Sequence, residues 1–529
     1  MSEIITEFHC KAGRTFLVGL VCAISLAIHA DEQLDVDEFG VVNFNVNCDA
    51  QIQPEVNRAV AQLHNMMYVQ AEEMFGELAQ ENPDCAMLYW GAAMSNFHPL
   101  WPGVSSEPEM ERGGIAIARA VELGGADARE QAYIDAVAAF YRDGATSFPE
   151  RIAAWAKGQK KVYDAYPDDV DAAAFFALSH LAIAPKTDKA MTHQKEAGSL
   201  LEQLHVQSPQ HPAGFHYLIH AYDNPLLASN AEAVSRAYDK IAPTVPHALH
   251  MPSHIFVRMG LWEETVFWNE RSAQAALDES PENMTLSHFA HALDYKIYAH
   301  LQRGEPQQAV ATLDQMNRIT DHQNGFGSAY GLAAASTRIA LETNDWEAAS
   351  KIPVRVQQTI DWDKFPATEA IVYFARGIGA ARSGDVEAAL VAEATLRELH
   401  EQLGRDGPAY WETLVESQLN SVAAWIAYAR DDMEQAENLM VTAATLEDSL
   451  DKSPVTSSAV LPARELLGDL YGLLDKHEEA LTAYEAALMV SPNRARSLRG
   501  VIKEAMATGD TEKADQYRMS IADLAAPAQ

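Results

Sequence analysis

Basic residues are scarce in this chain. Lysine and arginine total 39 against 75 aspartates and glutamates, a formal net charge of −36 over 529 residues. Proteins that hold nucleic acid or anionic membrane surfaces displace counterions with lysine and arginine patches. This balance therefore excludes nucleic acid as a partner and disfavours a lipid surface. It favours solubility and draws cations without specificity, and a salt-adapted host accounts for it without a dedicated role.

Cysteine is nearly absent, with four in the whole chain. Long apolar runs are limited to one, Phe16 to Ile28, behind Lys11 and Arg14 and ahead of Asp31–Glu32. That is the layout of a secretory signal peptide, and it is too short for a comfortable membrane span. Residues 1–30 are read as a leader, cleaved after Ala27 or Ala30. The mature protein is expected to be periplasmic or secreted, with no membrane span. Cys22 lacks the preceding small residue of a lipid-modification signal. Leader removal leaves Cys48 and Cys85, and an isolated pair in an oxidising compartment is expected to form a disulfide.

Strand-type alternation is missing beyond one extended stretch, Gly40–Val46. So are several catalytic signatures: the zinc-protease His-Glu-x-x-His, the hydrolase Gly-x-Ser-x-Gly, and a glycine-rich phosphate loop with lysine. The Gly325–Gly331 stretch lacks dinucleotide-loop spacing. Ser253 beside His254 has no recognisable nucleophile turn around it.

What is present is helical. Alanine-rich amphipathic stretches of about 12 to 18 residues alternate with short Pro, Gly, Asp or Asn breaks. Leu467, Gly468, Tyr471, Ala480, Tyr484, Ala487 and Pro492 fall at the offsets of a tetratricopeptide repeat, a helix–turn–helix unit. Ala71, Phe75 and Pro83 repeat its second half near the N-terminus, and Gly377 and Ala389 match it in between. The predicted fold is all-α, a solenoid of stacked antiparallel helix pairs resembling tetratricopeptide repeats. A histidine-rich degenerate half is placed at 31–320 and plain repeats at 321–529. Thr320–Gly327 is the clearest break, through which stacked repeats can run continuously.

Ten of the 19 histidines lie between positions 205 and 300. The predicted register makes Val170–Ile183, Pro212–Tyr222, Pro246–Gly260 and Asn283–Arg303 successive first helices, which line the inner, ligand-binding face of such arrays. His216 and His220 are four apart and share a helix face; His250 and His254 repeat the spacing. Two imidazoles so placed can chelate one ion. His247 and His254 are seven apart, roughly 10 Å of helix rise. The single-ion ligand set is therefore His216, His220, His250 and His254, with His247 behind it or at a second ion. Asp223 can orient an imidazole or serve as an oxygen ligand. His180, His288 and His291 flank the ligands, and Trp101 sits in a loop that can reach the groove. Isolated histidines such as His64, His98, His400 and His477 are read as hydrogen-bonded polar groups. Pro252 leaves two alternatives: a helix kinked there, or one that starts there, with His247–His250 in an entry turn.

The segments Cys85–Gly91, His98–Trp101, His216–Asp223 and Pro246–Trp262 resemble a widespread group of exported bacterial tetratricopeptide-repeat proteins. The resemblance covers roughly residues 40 to 300. It implies that Cys48, Cys85, His98, His216, His220, His247, His250 and His254 belong to one shared pattern, and it brings no settled activity. Asn224 departs from the aspartate expected after Asp223.

Imidazole ligands point to a transition metal, with zinc, copper and iron as candidates, and away from calcium or magnesium. The function expected first is a metal site acting on a small molecule or simply binding metal. The alternative is a metal-free scaffold that takes a peptide or protein in its concave groove. A metal-free proton-transfer enzyme comes third. A monomer or weak dimer is expected.

Overall fold

The computed structural model describes residues 38–101, 106–142, 147–185 and 188–525. The expected leader, with both cleavage points and Cys22, lies outside the described residues. Among those described there are 25 α-helices and one β-pairing, an isolated bridge between Thr285 and His322. No described helix is long and apolar enough to cross a membrane.

Local chemistry explains the punctuation. Ser106 and Ser147 cap the helices Glu107–Leu123 and Phe148–Ala165, each in a reciprocal box with the glutamate three residues on. Gly260 and Gly384 end their helices at positive φ, where a side chain would be strained. The Gly40–Val46 stretch is extended but pairs with no strand. Its Val41 N–H donates to the Gln210 carbonyl at 2.9 Å and its Phe44 N–H to Asn57 Oδ1 at 3.0 Å. Phe44 stacks on Trp90 with ring centroids 5.0 Å apart.

The repeat signature has a direct packing meaning. In the pair Ala463–Leu473 and His477–Val490, a Cβ on Gly468 would lie 2.9 Å from the Tyr484 ring. Only glycine lets the aromatic fill the gap, while Ala480 and Ala487 are buried beside it. Near the N-terminus Gly91 of the Ala86–Met94 helix meets Phe75 of Tyr68–Glu81 in the same way, its Cβ position 2.3 Å from the ring. Successive pairs stack so that first helices neighbour one another. Val170–Ile183 packs on Ala213–Tyr222, which meets Pro252–Met259, and Pro246–His250 meets Ser287–Gln302. The fold is an all-helical, tetratricopeptide-like solenoid.

The described residues belong to one compact unit, and its last repeat returns to the middle of the array. Ala495 N–H donates to Gln302 Oε1 at 2.9 Å, and Trp262 Nε1–H to the Asn493 carbonyl at 3.0 Å. Fully buried Arg494 donates to Glu465 at 2.9 and 3.2 Å and to Tyr298 Oη at 3.2 Å. A buried guanidinium persists only with such partners.

Cys48 and Cys85 are joined as a disulfide, with Cα atoms 5.6 Å apart. It ties the extended N-terminal stretch to the Ala86–Met94 helix. Its reduction is expected to destabilise this end by ~3–4 kcal/mol through loop-closure entropy, read from urea denaturation with and without reductant.

Glu447 accepts a hydrogen bond from Ala463 N–H at 2.9 Å, at the start of a helix, and burial pushes its carboxyl up to about 7. A folded-state value above the usual 4.5 means its contribution is complete below pH 4.5 and lost as pH rises through about 7. The thermal midpoint of wild type relative to Glu447→Gln is expected to fall across that window; a flat difference overturns the assignment.

Candidate metal centre

The Ala213–Tyr222 helix presents His216 and His220 one turn apart, with ring centroids separated by 4.9 Å. The next two helices, Pro246–His250 and Pro252–Met259, run end to end. Met251 between them keeps helical angles, φ −52° and ψ −40°. Pro252 lacks its own N–H, yet Met251 N–H still donates to the His247 carbonyl and His254 N–H to the Met251 carbonyl, both at 3.0 Å. A helix does start at Pro252, but the residues before it form a short helix of their own rather than a turn, and Met251 joins the two at helical angles. His250 and His254 consequently stay on one face, with their Nε2 atoms 3.0 Å apart.

The histidines sort into two triads. His216, His220 and His247 bring ring nitrogens within 4.8 Å of one another, and so do His250, His254 and His291. The expected four-histidine set is thus divided, one i,i+4 pair to each triad. Of the two places expected for His247, behind the ligands or at a second ion, the grouping fits the second: it completes the first triad from the neighbouring helix. His291, expected only as a flanking residue, completes the second. The seven-residue separation of His247 and His254 holds, and it places them in different triads. The triads abut, with ring centroids 5.7 Å apart for His220 and His254 and 6.2 Å for His247 and His250. His288 adds a ring 5.1 Å from His247.

Hydrogen bonds behind the rings decide which nitrogens carry protons. His216 Nδ1–H donates to the His64 carbonyl at 2.7 Å, an acceptor only. His254 Nδ1–H donates to Asp223 Oδ2 at 2.9 Å. His250 Nδ1 faces Asn269 Oδ1 at 2.8 Å. The Asn269 amide cannot be reversed, because its Nδ2 donates to the Thr265 carbonyl and to Ser253 Oγ, both at 2.7 Å. So His250 also carries its proton on Nδ1. The Nε2 atoms of His216, His250 and His254 are then lone-pair acceptors. Two of these lone pairs face each other across 3.0 Å. Both nitrogens of His247, Nε2 of His216 and His220, and Nδ1 of His291 are buried without a protein partner.

Burial keeps all of these rings neutral. It pushes His216 down to about 3 and His288 to about 4, and holds His220, His247, His250 and His291 well below the ordinary imidazole value. For His254 burial also prevails, against the opposing pull of Asp223. Neutral imidazole is the ligand form.

Asp223 holds the site in place. Its Oδ1 accepts from Arg258 Nε at 2.8 Å and its Oδ2 from Lys452 Nζ at 3.0 Å, besides His254. Lys452 comes from the repeat half of the chain. Asp223 therefore orients the imidazole of His254 and not that of its helix neighbour His220.

Other candidates lie elsewhere. His98 stacks on Tyr68, and Trp101 stands between it and His247, 6.1 Å from one ring and 5.8 Å from the other. His180 pairs with His193 at 3.0 Å and lies 3.3 Å from Glu196. Ser253 Oγ is taken up by Asn269. His64, Asp171 and His211 form a third tight group, but its protons are spoken for. Ala213 N–H donates to His211 Nδ1 at 3.3 Å, so His211 Nε2–H donates to Asp171 at 3.2 Å. His64 Nε2 meets the same carboxylate oxygen at 2.9 Å, and its Nδ1 faces Tyr217 Oη at 3.0 Å. This group is a closed hydrogen-bond network. Asn269 and Lys452 carry no signal in the sequence, because single polar residues elsewhere in the chain have no spacing to mark them; Arg258, four residues after His254, shares its helix face and has one.

No protein-family model matches the chain, and no curated protein matches it. Among solved structures, the APC/C hetero-tetramer Cut9–Hcn1 is similar at 12% identity and a TM-score of 0.31, covering 90% of this chain and 93% of that one. The repeat architecture described above therefore rests on the chain's own helix pairing.

Asp223→Ala leaves Arg258 and Lys452 without their buried carboxylate, which is expected to cost ~3–5 kcal/mol. Chemical denaturation measures the loss, and Lys452→Met in the same background is expected to restore part of it. Full stability in the single variant would show that Asp223 is not the anchor described.

Proposed function

We propose that the two histidine triads form a transition-metal centre, with zinc, copper and iron as the candidate ions. One observation carries this reading: the lone pairs of His250 and His254 face each other at 3.0 Å in a buried, neutral pair whose protons are fixed on the far side. Bare lone pairs repel at that distance; a metal ion beside them turns the contact into attraction, as one further proton shared between them would, and burial disfavours the proton. Buried polar atoms without partners demand an explanation of this kind. The backing of His216, His250 and His254 by a carbonyl, an amide and a carboxylate is the usual support of metal-bound imidazoles.

The substrate reading attaches to a neighbouring cavity of about 530 Å³. Arg258 and Lys452, which bind Asp223, also form part of its wall, with Tyr298, Tyr330, Phe374 and Tyr410. Leu226 and Met489 are exposed apolar residues on its lining. A small molecule or an apolar peptide segment suits this space. The Cys48–Cys85 disulfide supports export to the periplasm or beyond.

Elemental analysis of the purified chain tests the reading. A stoichiometric transition metal is expected, lost in the double variant His216→Ala/His250→Ala, which removes one ligand from each triad, while far-UV circular dichroism keeps its helical content. A wild-type chain that is fully helical, metal-free and unable to take up added zinc, copper or iron sinks the proposal.

A further inference from the structure

The metal reading leaves open how many ions the centre holds and of what charge. We infer that it is a two-ion centre, one ion on His216, His220 and His247 and the other on His250, His254 and His291, built for a pair of monovalent copper ions. This rests on the metal reading above.

The count follows from the division of the ligands. Each triad is complete in itself, with three ring nitrogens within 4.8 Å of one another. No histidine belongs to both. A single ion shared by all six would need His216 and His291 on one coordination sphere, yet each is grouped with a different i,i+4 partner set. The nitrogens without partners occur in both triads, at His216, His220 and His247 in one and at His291 in the other. The facing Nε2 pair of His250 and His254 adds to the second.

The charge follows from what surrounds them. All six ligands are neutral imidazoles, and neither triad includes a carboxylate. The carboxylate that backs the cluster, Asp223, is bound by both Arg258 and Lys452. Asp451, which pairs with Arg258 at 3.2 Å, brings those four charges to balance. The remaining surroundings are neutral: Tyr295 packs its ring against His250, His254 and His291, Trp101 against His247, and Asn269 backs His250. These described neighbours therefore supply no net negative charge for the ions. Two divalent ions repel four times as strongly as two monovalent ions at the same spacing, and each costs more to strip of water. Copper is the candidate with an accessible monovalent state, and a filled d shell lets it accept three nitrogen donors without a geometric demand. Zinc and iron would enter as dications and would need bound hydroxide or another anion to offset their charge.

The test loads the full chain anaerobically with Cu(I) against the chelator bathocuproine disulfonate, then challenges it with equimolar Zn(II). Two Cu(I) per chain are expected, undisplaced by zinc, with a nitrogen-only shell in copper X-ray absorption. His216→Ala and His291→Ala are each expected to retain one Cu(I), and circular dichroism reports their folding. The wild-type count stands on its own should a variant not fold. One Cu(I) in the wild type, or its complete loss in either folded single variant, overturns the two-ion centre. Zinc displacing Cu(I) overturns the copper assignment. Either result leaves the metal reading standing. A chain that binds no Cu(I), Zn(II) or Fe(II) overturns both.

Discussion

A single buried carboxylate organises the centre of this molecule. Asp223 follows the last turn of the Ala213–Tyr222 helix and accepts from His254, Arg258 and Lys452, while its backbone carbonyl accepts from Arg258 Nη2 at 2.9 Å. Each contact has a different consequence. His254 is fixed in the tautomer that aims its Nε2 at His250. Arg258 ties the helix carrying His254 to the helix carrying His216 and His220. Lys452 pins a loop from the far half of the chain against both. Desolvating a carboxylate is costly, and two cations together with an imidazole N–H offset that cost. The side chain is held well below the usual carboxylate range, with Lys452 and Arg258 as the strongest opposing influences against burial.

The solenoid makes such a convergence possible. Stacked pairs place successive first helices side by side, so residues distant in sequence meet at one level of the stack. Four short stretches of helix, in Ala213–Tyr222, Pro246–His250, Pro252–Met259 and Ser287–Gln302, are enough to assemble six imidazoles. The loop that carries Lys452 then covers them. Tyr295, whose ring packs on the second triad, donates its hydroxyl to the Thr456 carbonyl at 2.7 Å. Arg338, fully buried on Asp294 at 2.8 Å, donates to the Ser458 carbonyl at 3.1 Å. Burial of the centre is therefore a property of the whole array, and it is what keeps the imidazoles neutral.

The fold was legible because helix pairs write themselves locally. Gly468 opposite Tyr484, and Pro492 after the second helix, are spaced by the geometry of one repeat. The two i,i+4 histidine pairs were legible for the same reason. The partition of the ligands was not, since it depends on how neighbouring helices slide against one another. His247 looked remote because its distance was judged along its own helix from His254. It is instead judged across the stack from His216, 4.9 Å away ring to ring. His291 looked peripheral because no second histidine stands four residues from it, as in the two pairs; its ring lies 4.3 Å from His250. Pro252 was ambiguous because proline is equally at home at a helix start and at an interruption. Both readings are met in part: a helix starts at Pro252, and Met251, itself at helical angles, joins it to the short helix before it.

The contrast between the three buried histidine groups shows what proximity alone leaves unsaid. His64, Asp171 and His211 are as close and as buried as either triad. Their protons point inward, onto one carboxylate oxygen, and the outer nitrogens are satisfied by Ala213 N–H and Tyr217. That arrangement is electrically complete, and an added cation would have to expel protons from it. In the paired triads the protons of His216, His250 and His254 point outward, onto His64, Asn269 and Asp223, and the lone pairs are left to converge. The same side chains thus build a cross-link in one place and a cation-shaped centre in the other. The difference lies in acceptors on the outer side, one of which is the backbone carbonyl of His64 itself. The closed network thereby acts as the rigid wall against which the first triad is aimed.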